Sequence, residues 1–272
     1  MEKYSFLTSV YYKEKPENLR LSIESMLNQT AAPDQIVLVK DGKLTAELDA
    51  VIDEFAAKYP EVFTIITLEE NKGLANALNE GLKECRNELV ARMDSDDVSV
   101  KERCALSLAE FEKDTDLGLL GTGMYTFVGS PDNVIGERYQ PADFNKIKKA
   151  LRRNDPFFHP TVMYKKSLVL ASGGYAAELR RRQDYDLFSK MVNDGVKATN
   201  IEKPLLYFRT TDDYYLRNKN KESCVNRIIV QKRIYRRKEC SFFDYLYVKT
   251  AFTAVRFMPL WLYKLLYKKI KK

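Results

Sequence analysis

Strand-like and helix-like segments alternate four times along residues 1–113. Phe6–Tyr12, Gln35–Lys40, Val62–Leu68 and Glu88–Met93 are short apolar runs rich in β-branched and aromatic residues, which is the composition of buried strands. Between them Leu19, Ile23, Met26 and Leu27, then Leu48, Val51, Ile52 and Phe55, then Leu74, Ala77, Leu78 and Leu82 recur at helical spacing. Each set lines one face of a helix, and Val100–Lys113 predicts a fourth helix. Strands that alternate with helices over short connections form a mostly parallel sheet with covering helices, joined by right-handed crossovers. In such an α/β sheet, ligands bind outside the carboxyl ends of the strands.

The residues at those ends are therefore the ones to read. They are Thr8, Tyr11 and Glu14 after the first strand, Asp41 after the second, Asn71 and Gly73 after the third, and Asp94 and Asp96 after the fourth. The last end is the most unusual. Leu89-Val90-Ala91-Arg92-Met93 runs straight into Asp94-Ser95-Asp96-Asp97. An unpaired carboxylate costs several kcal/mol to desolvate, so stacked acids at a buried strand end point to a divalent cation. Mg²⁺ and Mn²⁺ take carboxylate oxygen and share their shell with substrate phosphates. The plainer alternative is a polar loop in which Ser95 or Asp96 caps the next helix. Asp41-Gly42 is also an ordinary turn pair, and Tyr11 is equally readable as a core aromatic. No G-x-G-x-x-G follows the first strand and no G-x-x-x-x-G-K-[ST] occurs, which argues against a dinucleotide oxidoreductase and a P-loop NTPase.

Taken together, Thr8-Ser9-Val10-Tyr11, Val39-Lys40-Asp41-Gly42, Asn71 through Asn79 and Ala91-Arg92-Met93-Asp94-Ser95-Asp96-Asp97 resemble the family 2 glycosyltransferases. These are bacterial enzymes of GT-A type, a Rossmann-like fold, that build surface polysaccharides. The resemblance covers about the first 210 residues. It implies a nucleotide-sugar donor, in the first instance a UDP-sugar, a Mg²⁺ or Mn²⁺ ion, and inversion at the anomeric carbon. It assigns Thr8, Tyr11, Glu14, Asp41, Asn71, Gly73, Arg92 and Asp94 to the donor nucleotide, and Asp94 and Asp96 to the metal. Asp97 is left to a structural role.

The second half carries two further candidates. His159 is the single histidine, in a loop flanked by Pro156 and Pro160. The resemblance puts a histidine near the donor there, as a possible third metal ligand; the plain reading is a structural one. Asp184 lies at the start of a helical pattern through Leu187, Met191 and Val192. It is either a capping residue or the base that takes the proton of an acceptor hydroxyl. The family usually has two acids here and Asp184 matches the second, whereas Gln183 departs from the first; Asp186 is the fallback base. Arg180-Arg181-Arg182 is read as a solvated charge run, the alternative being that one of them offsets charge developing on the leaving diphosphate. The Gln-x-x-Arg-Trp motif of processive relatives is absent, so a single-addition enzyme is expected.

Charge divides the chain. Residues 217–272 hold sixteen Lys and Arg against three acids, while the rest is mildly acidic. Residues 1–215 are expected to form the catalytic domain, with 1–97 the nucleotide half and 98–215 the acceptor half, followed by a basic helical extension over 216–272. Aromatic residues interrupted by Lys249, Arg256 and Lys264 describe a helix lying in an anionic membrane surface, and no run reaches the ~20 apolar residues of a span. The opening residues lack a signal-peptide pattern, and the four cysteines form no C-x-x-C pair. A cytoplasmic enzyme, peripheral at the inner face of the membrane, is expected to act on a saccharide or lipid-linked saccharide acceptor. A sugar nucleotidyltransferase is the rival enzyme, though it would need a glycine-rich loop where Tyr11–Lys15 has none. A nucleic-acid-binding protein leaves the aspartates unexplained, and no nucleic acid is expected.

Overall fold

The computed structural model describes residues 2–210, 219–263 and 265. Its centre is a nine-stranded mixed sheet in the order β3-β2-β1-β4-β8-β6-β9-β5, with β7 paired to β6. The first half is the expected parallel unit: β1 (Tyr4–Val10), β2 (Gln35–Lys40), β3 (Phe63–Thr67) and β4 (Leu89–Arg92). β1 pairs in parallel with β2 on one side and β4 on the other, so the strand order reverses about β1. That reversal splays the connections apart and opens a crevice at the carboxyl ends.

The second half inverts part of the pattern. After the short β5 (Val98–Ser99) come β6 (Leu117–Phe127), β7 (Val134–Arg138), β8 (Met163–Lys165) and β9 (Lys197–Arg209). β8 is antiparallel to both β4 and β6, and β9 is parallel to β6 and antiparallel to β5. This pairing carries the last residues of β9 back to the loop that follows β4.

Strand alternation divides the core into two layers. Phe6, Ile36 and Leu38 face one side, and Leu7, Val37 and Val39 face the other, as the period of two requires. The first layer is closed by α1 (Pro16–Leu27), α2 (Ala46–Lys58) and α4 (Arg103–Lys113). The second is closed by α3 (Leu74–Glu84), α5 (Phe144–Leu151), α6 (Lys166–Ala171), α7 (Gln183–Asn193) and α8 (Lys221–Arg236). α8 adds Val230 and Ile234 to this layer. Its buried Arg227 lies 4.5 Å over the Tyr185 ring of α7, a cation–π contact that strengthens when desolvated. The basic helix expected here is therefore half core: Lys232 and Arg236 are exposed, while Val230, Ile234 and the cation Arg227 are buried against the body. α9 (Phe242–Phe257) follows and packs on α8. No described helix is long and apolar enough to cross a membrane.

Candidate active site

A cleft of about 630 Å³ opens at the carboxyl ends of the parallel strands. Tyr11, Glu14, Asp41, Asn71, Gly73, Asp94 and Asp96 all line it, so four strand ends far apart in sequence meet in one space. Tyr11 is 42 % exposed, leaving its ring free to stack. Asp41 is buried, and its carboxylate accepts the backbone N–H groups of Lys72 (3.0 Å) and Gly73 (3.2 Å). Burial raises its pKa while those two amides oppose the rise. Asp41 thus shapes the loop that presents Asn71. The approach needs a glycine next door: Gly42 has φ of +83°, and a Cβ there would lie 2.6 Å from the Asn71 nitrogen.

Two of the expected donor contacts lie elsewhere. Thr8 is fully buried and its hydroxyl has no partner; the next residue, Ser9, faces the cleft instead, because adjacent strand residues point to opposite faces. Arg92 is 1 % exposed and forms a short ion pair with Asp94. It reaches the site through that carboxylate and has no direct access to a nucleotide.

The acid turn is the most charged part of the cleft. One ligand oxygen from each of Asp94, Asp96 and Asp97 fits within a 4.8 Å cluster. Burial, then the charges of Asp94 and Glu14, push the Asp96 carboxyl up to about 7. Burial, then the charges of Asp96 and Asp94, also push the Asp97 carboxyl well above the usual carboxylate range. One of its oxygens accepts the Arg209 amide at 2.9 Å, while the other is buried without a partner. Hard oxygen donors, mutual repulsion and an orphaned carboxylate oxygen suit a divalent cation. Asp97, read from sequence as structural alone, stands with the other two. His159 does not join them. Its ring is buried, bonded through Nε2 to the Tyr175 hydroxyl at 3.1 Å and packed against Phe188, and burial lowers its pKa well below the ordinary value. In this structure it is a core histidine.

The turn is held from three sides. The Ser22 hydroxyl of α1 donates to the Asp94 carbonyl at 3.1 Å. Glu14 accepts from the Ser95 hydroxyl at 3.3 Å. Arg209, at the end of β9, donates from Nε to the Asp96 carbonyl (2.9 Å) and from Nη1 to the Gly129 carbonyl (2.5 Å), with its guanidinium 4.6 Å over Phe127. Nothing local in the sequence marks Arg209; only the pairing of β9 brings it here. Its planar fork reaches the two carbonyls from two separate nitrogens, a geometry that a point-like ammonium on a flexible stem does not reproduce. Arg209→Lys and Arg209→Ala should therefore both weaken Mn²⁺ binding, by about tenfold or more from the loss of one charged hydrogen bond. Calorimetric titration of Mn²⁺ checks this, and unchanged affinity in both variants would refute the latch.

Asp184 sits in the first turn of α7, behind a left-handed Arg182 (φ 66°), and accepts the Tyr185 amide at 2.9 Å. It does not line the cleft itself, but Arg180 of the same loop does. Burial raises the Tyr175 hydroxyl, which bonds to His159 (3.1 Å) and Tyr164 (3.5 Å), and the charges of Asp184 and Asp94 add to the rise. Asp155 is a further carboxyl of this region, pushed well up by burial and then by Asp184. Asp186, the fallback base, is not available. It is 2 % exposed and its two oxygens accept from Arg233 (3.3 Å) and Arg237 (2.7 Å) of the α8 segment. Tyr175 is fixed by Asn79 of α3, whose amide donates to the Tyr175 carbonyl (2.7 Å) and accepts its N–H (2.9 Å).

A mixed sheet with an acid turn beside its reversal point, over a cleft of nucleotide size, defines a GT-A type transferase. Residues 7–180 match the family described as glycosyl transferase family 2, and the chain belongs to that family. It is a glycosyltransferase of polysaccharide biosynthesis. Among its relatives is the Escherichia coli UDP-Gal:alpha-D-GlcNAc-diphosphoundecaprenol beta-1,3-galactosyltransferase, 32 % identical over 98 % of this chain and 96 % of that one. Another is the amylovoran biosynthesis glycosyltransferase AmsE of Erwinia amylovora, 34 % identical over 99 % of both. The fold matches the mannosyltransferase PcManGT of Pyrobaculum calidifontis, solved with GDP-Man and Mn²⁺, at a TM-score of 0.65 and 16 % identity over 86 % of this chain. This chain spans 40 to 66 % of the length of the solved chains it resembles.

Proposed function

We propose that this enzyme moves one sugar from a UDP-sugar to a saccharide carried on a lipid diphosphate, with inversion and without processive extension. The observation that carries the reading is the convergence of Tyr11, Glu14, Asp41, Asn71 and Gly73 with Asp94 and Asp96 in one cleft. The donor and acceptor classes rest on the named substrates of the E. coli relative. In this reading the five strand-end residues face the nucleotide, with Tyr11 stacking on the base. Asp94, Asp96 and Asp97 hold a divalent cation, which supplies positive charge beside the departing diphosphate. Arg92 holds Asp94, and Arg209 holds the turn. Asp184 takes the proton of the acceptor hydroxyl as that oxygen attacks the anomeric carbon, and attack opposite the leaving group inverts the centre. Residues 1–215 form the catalytic unit. The segment 216–272 extends it, with α8 packed on the body and 242–272 meeting an anionic membrane on the cytoplasmic side, where a lipid-linked acceptor resides.

The test is a panel of nucleotide sugars with Mn²⁺, Mg²⁺ or chelator, read as nucleotide release with and without lipid-linked saccharide. Acceptor-dependent release of UDP that chelator abolishes is expected. Release from no donor in the panel, or release indifferent to chelator, overturns the reading.

A further inference from the structure

We propose that α9 is a rigid mount, fixed to the catalytic body by one face and seated in an anionic lipid surface by the other. The proposal deepens the membrane contact proposed above, but its test needs no turnover, so it stands or falls apart from the reaction.

The outward face is apolar apart from Thr250, whose hydroxyl is turned onto the Leu246 and Tyr247 carbonyls, and Tyr247 also carries the Arg153 guanidinium at 4.8 Å. Phe243, Leu246, Tyr247, Thr250, Ala254 and Phe257 are all exposed and recur at spacings of three and four, which places them on one side of a helix. Phe243 is 76 % exposed and Phe257 75 %, and Trp261 just beyond the helix is 69 % exposed. Large aromatics left in water along one stripe mark a surface awaiting a partner. Lys249 and Arg256 belong to the same helix, and Arg256 lies 5.2 Å over the Phe257 ring. Long cationic side chains beside an apolar stripe extend to the polar layer while their stems and the aromatics enter the acyl boundary.

Charge decides which partner fits. From Tyr245 to Lys272 the sequence holds seven Lys and Arg and no Asp or Glu. A second copy of this chain on the stripe would set those cations against one another. An anionic lipid surface attracts each of them that comes near it.

The inward face is attached at three places along the helix. Asp244 is 2 % exposed and accepts from Arg152 Nε (2.9 Å) and Nη2 (2.6 Å), from Arg153 Nε (2.5 Å), and from the Ser241 hydroxyl (2.7 Å). Tyr245 stacks on Tyr235 of α8 at 5.3 Å. Phe252 lies 5.3 Å under the Arg227 guanidinium, which also covers Tyr185 of α7. A tether would leave the body free to tumble on the lipid. These attachments give it one orientation.

Sedimentation of the full chain with phosphatidylcholine vesicles, with and without phosphatidylglycerol, tests the surface. Binding that requires phosphatidylglycerol is expected. The combined change Phe243→Ser, Phe257→Ser and Trp261→Ser should lower it by about tenfold or more, the scale of losing buried aromatic area. Lys249→Glu with Arg256→Glu should lower it as well, with the unfolding midpoint held in both variants. Parent-like binding by the triple variant overturns the proposal. So does light scattering that finds a dimer which the triple change splits. The mount is tested by Asp244→Asn, which keeps the stripe. Vesicle binding should persist while hydrogen exchange across α9 speeds up, and exchange unchanged from the parent overturns the fixed attachment.

Discussion

Asp94→Asn and Asp96→Asn should each lose roughly 10²- to 10³-fold in transfer, the range for removing one charge-stabilising group from a reaction centre. Their stabilities should part: Asp96→Asn relieves repulsion within the acid cluster, whereas Asp94→Asn also leaves the buried Arg92 without its ionised partner and should lower the unfolding midpoint. For Asp96→Asn a normal or raised midpoint together with lost transfer is the diagnostic pair; loss of both would make the turn structural. The same cluster dictates a pH dependence. With the Asp96 carboxyl pushed up to about 7, a proton competes with the cation for that oxygen. Cation binding should therefore weaken as pH falls through 7 and tighten above it. Without the cation the sign reverses for stability. A carboxyl whose folded pKa is raised favours the folded state most below its unfolded value of 3.8 and loses that contribution as pH rises toward 7. Thermal unfolding with and without Mn²⁺ across this range checks both.

The second large effect is expected at Asp184. Asp184→Asn keeps the shape and the hydrogen bond to the Tyr185 amide but cannot take a proton, so transfer should fall by about 10²- to 10⁴-fold, the span for general-base catalysis. Donor affinity should hold, because Asp184 is outside the cleft lining. Transfer at the parent rate would exclude Asp184 as the base. The substitution also separates the roles of Asp94 and Asp184, since only Asp94 should alter cation binding.

The donor half was legible because its signals are local. Alternating apolar runs predict β1 to β4, and Asp41, Asn71, Asp94 and Asp96 stand next to the strands that deliver them. The rest depends on contacts that no short window contains. Lys197–Arg209 holds Glu202-Lys203-Pro204 in its middle, which hides a long strand, and so hides Arg209, whose partners Asp96 and Asp97 are 113 and 112 residues away. Thr8 and Ser9 were exchanged because a half-turn error in strand facing moves a residue from wall to core. His159 is placed near the donor by the family resemblance alone, and burial beside Tyr175 favours the plain structural reading.

The Asn79 clamp has a kinetic corollary. α3 is capped by Gly73, against the nucleotide loop, and its Asn79, six residues beyond that cap, holds Tyr175, upstream of Asp184. A single stiff rod therefore joins the two substrate halves. Coupling through this rod predicts that the two substrates bind in sequence, donor leading; product-inhibition patterns check this, and random-order patterns would refute it.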